Sequence, residues 1–212
     1  MINKDVLFGT PRAISMWVIS VFFVIAFAAY FNILANRDVI GLQNDGEVGS
    51  WSVSFNELLD SENSGPQTVE DGQSATFSRT LMPDTRNFGM VQISITCDDG
   101  GGVGDADDTF SVNVAAPEGI NVSSFDGTCD NNPVIQEVKI INGYDGEEYN
   151  STNSSKNEIN SQWTASEGYG HGEWNVDAQI TTEAGLNIFG DNEATVTIEI
   201  TAITFELEVT EA

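Results

Sequence analysis

The sequence predicts an all-β fold in which two repeated β-sandwich units follow a single apolar helix at the N-terminus. Three observations support this prediction. Apolar and polar residues alternate with a period of two in many segments, the pattern recurs after about 85 residues, and residues 13–35 are uncharged and largely apolar. Period-two alternation is typical of strands with one buried face, and a fixed repeat indicates duplicated units.

The first predicted element is a transmembrane helix over residues 13–35. From Ala13 to Leu34 no residue is charged, and twelve of these 22 positions are Ile, Val, Phe or Leu. This length matches a hydrocarbon core of about 30 Å. Because Lys4 and Arg12 precede the helix, we expect a cytoplasmic N-terminus, an extracellular remainder and a single-pass protein of the cell membrane.

Two alternatives to a permanent anchor remain open. Ala26-Phe27-Ala28 has the small-x-small form of a signal-peptidase site. Arg12-Ala13-Ile14-Ser15 with the apolar helix after it resembles the signal of archaeal type IV pilins, although Val18 stands where many pilins carry an acid. The resemblance implies that a peptidase cuts after Ala13 and that the helices pack in a filament core. All three interpretations place the acidic part of the chain outside the cell.

The charge balance excludes nucleic acid as a partner. The chain has 7 Lys and Arg against 33 Asp and Glu, a formal net charge of −26, whereas binding a polyanion requires basic residues that displace counterions. The acids are spread through both repeated units. This distribution suggests a surface suited to salt-rich surroundings, as in a marine or halophilic source.

Two further features agree with an exported chain. Sequons at Asn121, Asn150 and Asn153 are candidate glycosylation sites. Cys97 and Cys129 are the only cysteines, and their even number favours a disulfide, with two free buried thiols as the alternative. A bridge closing 32 residue steps stabilises a fold by roughly 3–4 kcal/mol in the chain-entropy model. Two cysteines and one histidine are too few for the usual zinc site.

The β pattern justifies the strands in order. Alternation predicts strands over residues 51–55, 91–97, 110–114, 134–140, 174–180 and 196–200, with further strands near 120–125 and 203–209. A shift of 85 lays Val53 over Val138, and a shift of 86 lays Phe110 over Val196. The apolar phase slips after Ala202, which predicts a bulge or a change of sheet.

Five short strands per unit suit a small sandwich, and the chain resembles the tandem Ig-like domains of cell-surface proteins in this architecture. The resemblance implies two Ig-like units in tandem. The predicted division is a cytoplasmic N-terminus over 1–12, the transmembrane helix over 13–35, a linker over 36–47, unit 1 over 48–126 and unit 2 over 127–212.

The candidate functional residues give little indication of catalysis. The single histidine, His171, lies between two glycines of a predicted turn, and no nucleophile elbow or phosphate-binding glycine loop occurs. Trp51 and Trp174 are in phase with buried strand positions, so we expect them to pack in a core rather than to form a carbohydrate-binding surface. Trp163 fits either role. The best ligand candidate is an acidic glycine-rich loop, which suits Ca²⁺ as the one possible cofactor, the alternative being a solvated loop. Its candidate ligands are Asp98, Asp99, Asp105, Asp107 and Asp108.

The sequence therefore predicts a non-enzymatic, membrane-anchored extracellular protein with a structural, adhesion or partner-binding role. One alternative is a pilin-like filament subunit processed at Ala13, and another is an accessory subunit of a membrane complex. The expected partners are the membrane through residues 13–35, other envelope proteins and further copies of the chain.

Overall fold

The computed structural model describes residues 19–23, 25–27, 46–83, 87–100, 108–182 and 193–212. The chain divides into two compact units, Met1–Glu47 and Val48–Ala212. In the first unit, residues 19–23 and 25–27 are helical. Their large apolar side chains are exposed, from 43 % at Val21 to 69 % at Phe22.

The prediction of a single-pass membrane protein is corrected by this structure. Among the described residues, no helix has both the length and the apolar character needed to cross a bilayer. The remaining positions of the predicted helix over 13–35 lie outside the described residues, as do the predicted cytoplasmic segment 1–12, most of the linker 36–47 and the peptidase site after Ala13.

The second unit consists of two β-sheets, so the all-β prediction is confirmed for the described part of this unit. Its elements are β1 (Val48–Asn63), β2 (Gln67–Glu70), β3 (Ser74–Leu81), β4 (Phe88–Asp98), β5 (Thr109–Ala115), β6 (Phe125–Thr128), β7 (Val134–Lys139), β8 (Tyr149–Ser155), α1 (Lys156–Gln162), β9 (Gly172–Thr181) and β10 (Glu193–Glu211). Sheet A has the order β7-β4-β10-β1-β8, with β2 also paired to β10, and sheet B has the order β3-β9-β5-β6.

The structure does not contain the predicted tandem Ig-like units over 48–126 and 127–212, because Val48–Ala212 forms one compact unit. Both sheets combine strands from the two expected units, because β10 pairs with β1, β2 and β4, and β9 pairs with β3 and β5. Alternation of apolar and polar residues specifies which side chains of a strand are buried, but it does not specify which other strands pair with that strand. The two halves are therefore interleaved in one compact unit.

Part of the repeat is visible in how four of the strands pair, whereas β1 and β7, which the shift of 85 superposes, both lie in sheet A. In sheet A, Cys97 of β4 lies opposite Val196 of β10, and in sheet B, Ile180 of β9 lies opposite Phe110 of β5. The offset between β4 and β9 is 180 − 97 = 83 residues, and the offset between β5 and β10 is 196 − 110 = 86. Each half thus contributes one strand of a matching pair to each sheet.

Two hydrophobic cores lie on the two faces of sheet A. Even-numbered residues of β10, such as Ile198 and Ile200, face the core between the sheets. Odd-numbered residues, such as Ile203 and Phe205, belong to a second core that also contains Tyr144. The register with β4 shifts between Ile203 and Thr204, where β4 contains Gly89 as an extra residue, whereas β10 pairs with β1 without interruption from Glu199 to Glu211. The phase slip after Ala202 therefore marks a change from one core to the other and not the predicted bulge in β10.

The sequence prediction missed several elements. Residues 150–160, for which the sequence analysis predicts no strand or helix, contain most of β8 and the start of α1. The start of α1 has a capping box, in which Ser155 Oγ accepts from the Glu158 amide and the Glu158 carboxylate accepts from the Ser155 amide. Strands β2 and β3 lie between two predicted strands and were not predicted, and the strand expected near 120–125 begins only at Phe125.

Candidate functional site

Strand β7 is an edge of sheet A. Its inner side pairs with β4, and no strand described in the structure pairs with its outer side. The Ile140 amide donates to the Gly89 carbonyl over 2.9 Å. Hydrogen-bonded positions alternate along an antiparallel pair, so even-numbered residues of β7 bond to β4 and odd-numbered residues direct their backbone groups outward.

The odd-numbered positions of β7 are Ile135, Glu137 and Lys139, and all three side chains are exposed. In agreement with this parity, the Glu137 carbonyl accepts a 3.0 Å bond from the exposed amide of Gln136 rather than from β4. Ile135 is 53 % exposed, which is unusual for a β-branched apolar residue on a free edge. The edge therefore presents backbone donors and acceptors together with an apolar side chain.

A surface groove runs beside this edge. One depression of about 270 Å³ is bounded by residues 120–123 and by residues 136–139 of β7. A second depression, of about 230 Å³, is bounded by residues 140–142 and by Gln162, Thr164 and Ser166. Both share Tyr169 as a wall, and β7 continues into the chain that lines the second depression. Half of the lining residues carry amide or hydroxyl groups, and most of the others are apolar.

The local backbone fixes Tyr169 at the junction of the two depressions. Its hydroxyl donates to the Gly119 carbonyl over 3.3 Å. The following residue, Gly170, has φ +83°, and a Cβ there would meet Phe88 at 2.9 Å and Ile140 at 3.0 Å. The Gly170 carbonyl accepts from the buried Trp174 indole over 3.1 Å. Only glycine suits this close approach with a positive φ, so the position of the tyrosine is specified by its neighbour.

The groove also contains one of three basic side chains that the structure describes in Val48–Ala212. Arg79 is committed elsewhere, with its guanidinium 2.7 Å from Asp60 and 3.2 Å from Glu62. Within the described residues, Lys139 forms no ion pair at 4 Å or less. Lys139 therefore gives this edge a positive charge that attracts an acidic group of a partner, although the chain as a whole is acidic.

The second core supports the groove from behind. Tyr144 is fully buried, its ring stacks on Phe205 with centroids 4.8 Å apart, and its hydroxyl donates to Glu57 over 2.7 Å. Burial, followed by the bond to Glu57, raises the pKa of the Tyr144 hydroxyl well above its usual value. Trp163 packs against the same cluster, and its indole donates to Tyr149 over 2.7 Å. These side chains fill the second core, so the space open to a ligand lies in the groove beside β7.

The predicted disulfide is confirmed and lies at the opposite end of β4. Cys97 at the end of β4 in sheet A is bonded to Cys129, which follows β6 of sheet B. The Asn131 amide donates to the Cys97 carbonyl over 2.8 Å, and both cysteines are buried. The bridge therefore joins the two sheets where the chain crosses from β6 to β7. Cys97 lies eight residue steps from Gly89 along β4, about 26 Å along a strand.

The candidate Ca²⁺ ligands are only partly described. Asp98 Oδ1 accepts from the Gly100 amide over 3.0 Å, and Asp108 is buried. Asp105 and Asp107 lie outside the described residues. Among the residues that the structure describes, Asp99 included, no group of three or more metal-ligating side chains comes together. Calcium binding at this loop stays a sequence prediction.

The other predicted residues occupy simple positions. The sequon residues Asn121, Asn150 and Asn153 are exposed, and Asn121 lines the groove. Glycosylation of these residues stays a prediction. Trp174 and Trp163 are buried in the cores, whereas Trp51 is half-buried and donates to the Ser154 carbonyl over 2.8 Å. His171 lies in a turn with its ring 6.2 Å from that of Phe88. No motif in the sequence predicts the groove, because its lining residues come from segments that are far apart in the chain.

Comparisons with known proteins add little to this description. No family model matches the chain, and no curated protein matches it. Among solved structures, the crystal structure of dimeric latent PorU from Porphyromonas gingivalis aligns with a TM-score of 0.29 and 12% sequence identity. That alignment covers 78% of this chain and 14% of the PorU chain, so the chain spans only a small part of that protein's length.

Proposed function

We propose that the chain is a non-enzymatic binding protein, in which the β-sandwich presents the edge of β7 to an extended segment of another polypeptide. The observation that carries this proposal is the outward-facing backbone of Ile135, Glu137 and Lys139 beside an open groove. An extended segment that adds to a sheet edge gains main-chain hydrogen bonds, and neighbouring pockets select its side chains.

The rest of the sandwich suits a rigid scaffold for such a surface. The disulfide joins the two sheets at one corner. Elsewhere, Arg79 of β3 in sheet B donates a hydrogen bond to the Ile200 carbonyl of β10 in sheet A. A surface that is held in place before binding loses less conformational entropy when the partner binds. The disulfide also favours a protein that works in an oxidising environment.

The experiment is site-specific photo-crosslinking in the native cell. The photoreactive amino acid p-benzoylphenylalanine replaces Gln136 in the groove, and a matched control places it at Asn175, an exposed residue of β9 on sheet B. We expect a discrete adduct from position 136 and none from position 175. Equal adducts from both positions, or none from position 136, would contradict the proposal.

A second candidate function is favoured by a separate observation. The large apolar side chains of helical residues 19–23 and 25–27 are exposed, and a helix that is apolar on all sides is normally buried. A pilin-like filament subunit would bury these side chains against helices of further copies. N-terminal sequencing of the mature protein tests this candidate, since a start at Ile14 supports processing and a retained Met1 contradicts it.

A further inference from the structure

We propose that the segment that binds β7 is β7 of a second copy of this chain, paired antiparallel about a two-fold axis at Val138. This inference rests on the proposed function of the edge, and it goes further by naming the partner and the register. It depends on the parity of the backbone groups and on the charges of Glu137 and Lys139.

Parity limits the possible registers. Odd-numbered residues of β7 direct their N–H and C=O groups outward, so a second β7 must place its own odd-numbered residues opposite them. For a symmetric pair that overlaps substantially along this six-residue strand, the axis then passes through Gln136, Glu137 or Val138. In each case, side chains directly opposite one another lie on the same face of the joined sheet.

The three registers differ in charge and in hydrogen bonding. An axis at Glu137 places the two Glu137 carboxylates directly opposite each other, which is destabilising. An axis at Gln136 places Lys139 opposite Pro133, which has no N–H to donate. An axis at Val138 places Glu137 opposite Lys139 of the second copy, and symmetry repeats this pair. Only the last register joins opposite charges, and it places Ile135 opposite Ile141, whose amide already donates to the Gly89 carbonyl.

The favoured register uses the outward backbone groups of Glu137 and Lys139 but not those of Ile135. Glu137 of one copy and Lys139 of the other form a hydrogen-bonded pair that exchanges two main-chain bonds, and the symmetric pair adds two more. The amide of Gln136, which now bonds to the Glu137 carbonyl, has to turn away for this pairing. The side chain of Gln136 already lines the open groove, so space for this movement is present.

The net charge makes the pairing dependent on salt. With −26 formal charges on each copy, long-range repulsion opposes association at low ionic strength. Salt at 0.5 M screens charges over a few Å and leaves the directly opposed Glu137 and Lys139 less affected. We therefore expect the pairing to be stronger at 0.5 M NaCl than at 0.02 M NaCl.

The test uses the full chain, with ¹⁴N-labelled and ¹⁵N-labelled protein mixed at 0.5 M NaCl and p-benzoylphenylalanine at position 136. Mass spectrometry measures the yield of adducts that join β7 peptides of different isotopic label. We expect Lys139→Glu to lower this yield about tenfold and the double substitution Glu137→Lys with Lys139→Glu to restore it. Lys156→Glu, the matched control on α1, changes the net charge equally and should leave the yield unchanged.

The register has its own readout in the unsubstituted chain. A carbodiimide couples a carboxylate to an amine that it directly contacts, so it should join Glu137 of one label to Lys139 of the other. Absence of mixed-label products, or a double variant that stays as weak as Lys139→Glu, would overturn the proposal. An adduct from position 136 to a different protein would refute self-pairing while leaving the proposed binding function in place.

Discussion

Arg79 offers a quantitative test of how the two sheets are held together. Its side chain is 8% exposed and extends from β3 of sheet B to β1 and β10 of sheet A. There, Nη1 donates to the Asp60 carbonyl over 2.7 Å and to the Ile200 carbonyl over 2.5 Å. Its two carboxylate partners, Asp60 and Glu62, are 77% and 61% exposed. Solvent screens these ion pairs, so the two carbonyl bonds carry most of the stabilisation.

We expect Arg79→Met to lower the free energy of unfolding by about 2–3 kcal/mol. A hydrogen bond from a charged donor contributes about 1.5–3 kcal/mol, and the buried methionine offsets part of the loss of two such bonds. Arg79→Lys keeps the charge but loses the forked geometry, so about half of the effect should remain.

Urea denaturation followed by tryptophan fluorescence measures these changes, and the melting temperature of Arg79→Met should fall by about 5–10 °C. Lys156→Met, which removes a cation from α1, is the matched control and should change the free energy of unfolding by less than about 0.5 kcal/mol. If Arg79→Met were as stable as that control, the two carbonyl bonds would not hold the sheets together.

Three further predictions concern the cores and the disulfide. Replacing both cysteines by serine should lower stability by roughly 3–4 kcal/mol, and dithiothreitol should no longer shift the urea midpoint of that variant; a remaining shift would contradict a role for the bridge. Gly89→Ala should lower the free energy of unfolding by about 1–3 kcal/mol, because a Cβ there would overlap the Tyr144 ring. Gly49→Ala, where the nearest contact of a Cβ is 3.6 Å, should leave the stability unchanged. Equal melting temperatures for the two variants would contradict this packing. Because the pKa of Tyr144 is raised in the folded state, the folded protein keeps a proton that the unfolded chain loses, so stability should be full below about pH 10 and fall above it. Tyr144→Phe should flatten that alkaline decline in urea titrations, and an unchanged slope would contradict the assignment.

The sequence identified the strands that have regular alternation and little else of the topology. Six predicted strands correspond to β1, β4, β5, β7, β9 and β10, because their inward positions are occupied by apolar residues. Strand β3 was missed because Arg79 interrupts its buried phase between Phe77 and Leu81. Alternation gave no information about which strands pair, so the interleaving of the two halves required the structure.

The site was predictable only in its components. The even number of cysteines allowed the disulfide to be predicted, because the chain has only these two thiols to pair. The groove depends on residues 120–123, 136–142 and 162–169, which are far apart in sequence. The helix α1 had one local signal, the capping box of Ser155 and Glu158, which a search for that motif would have found.

The position of β10 affects the order in which the protein can fold. This strand follows every other described strand in the sequence, yet it lies in the middle of sheet A between β4 and the β1–β2 side. The ribosome therefore has to release the chain through β10 before sheet A can form, and the contacts of β10 with β1 join residues that are up to about 160 positions apart. We expect slow folding on this account, and a chain shortened before Glu193 should remain unfolded and susceptible to proteases.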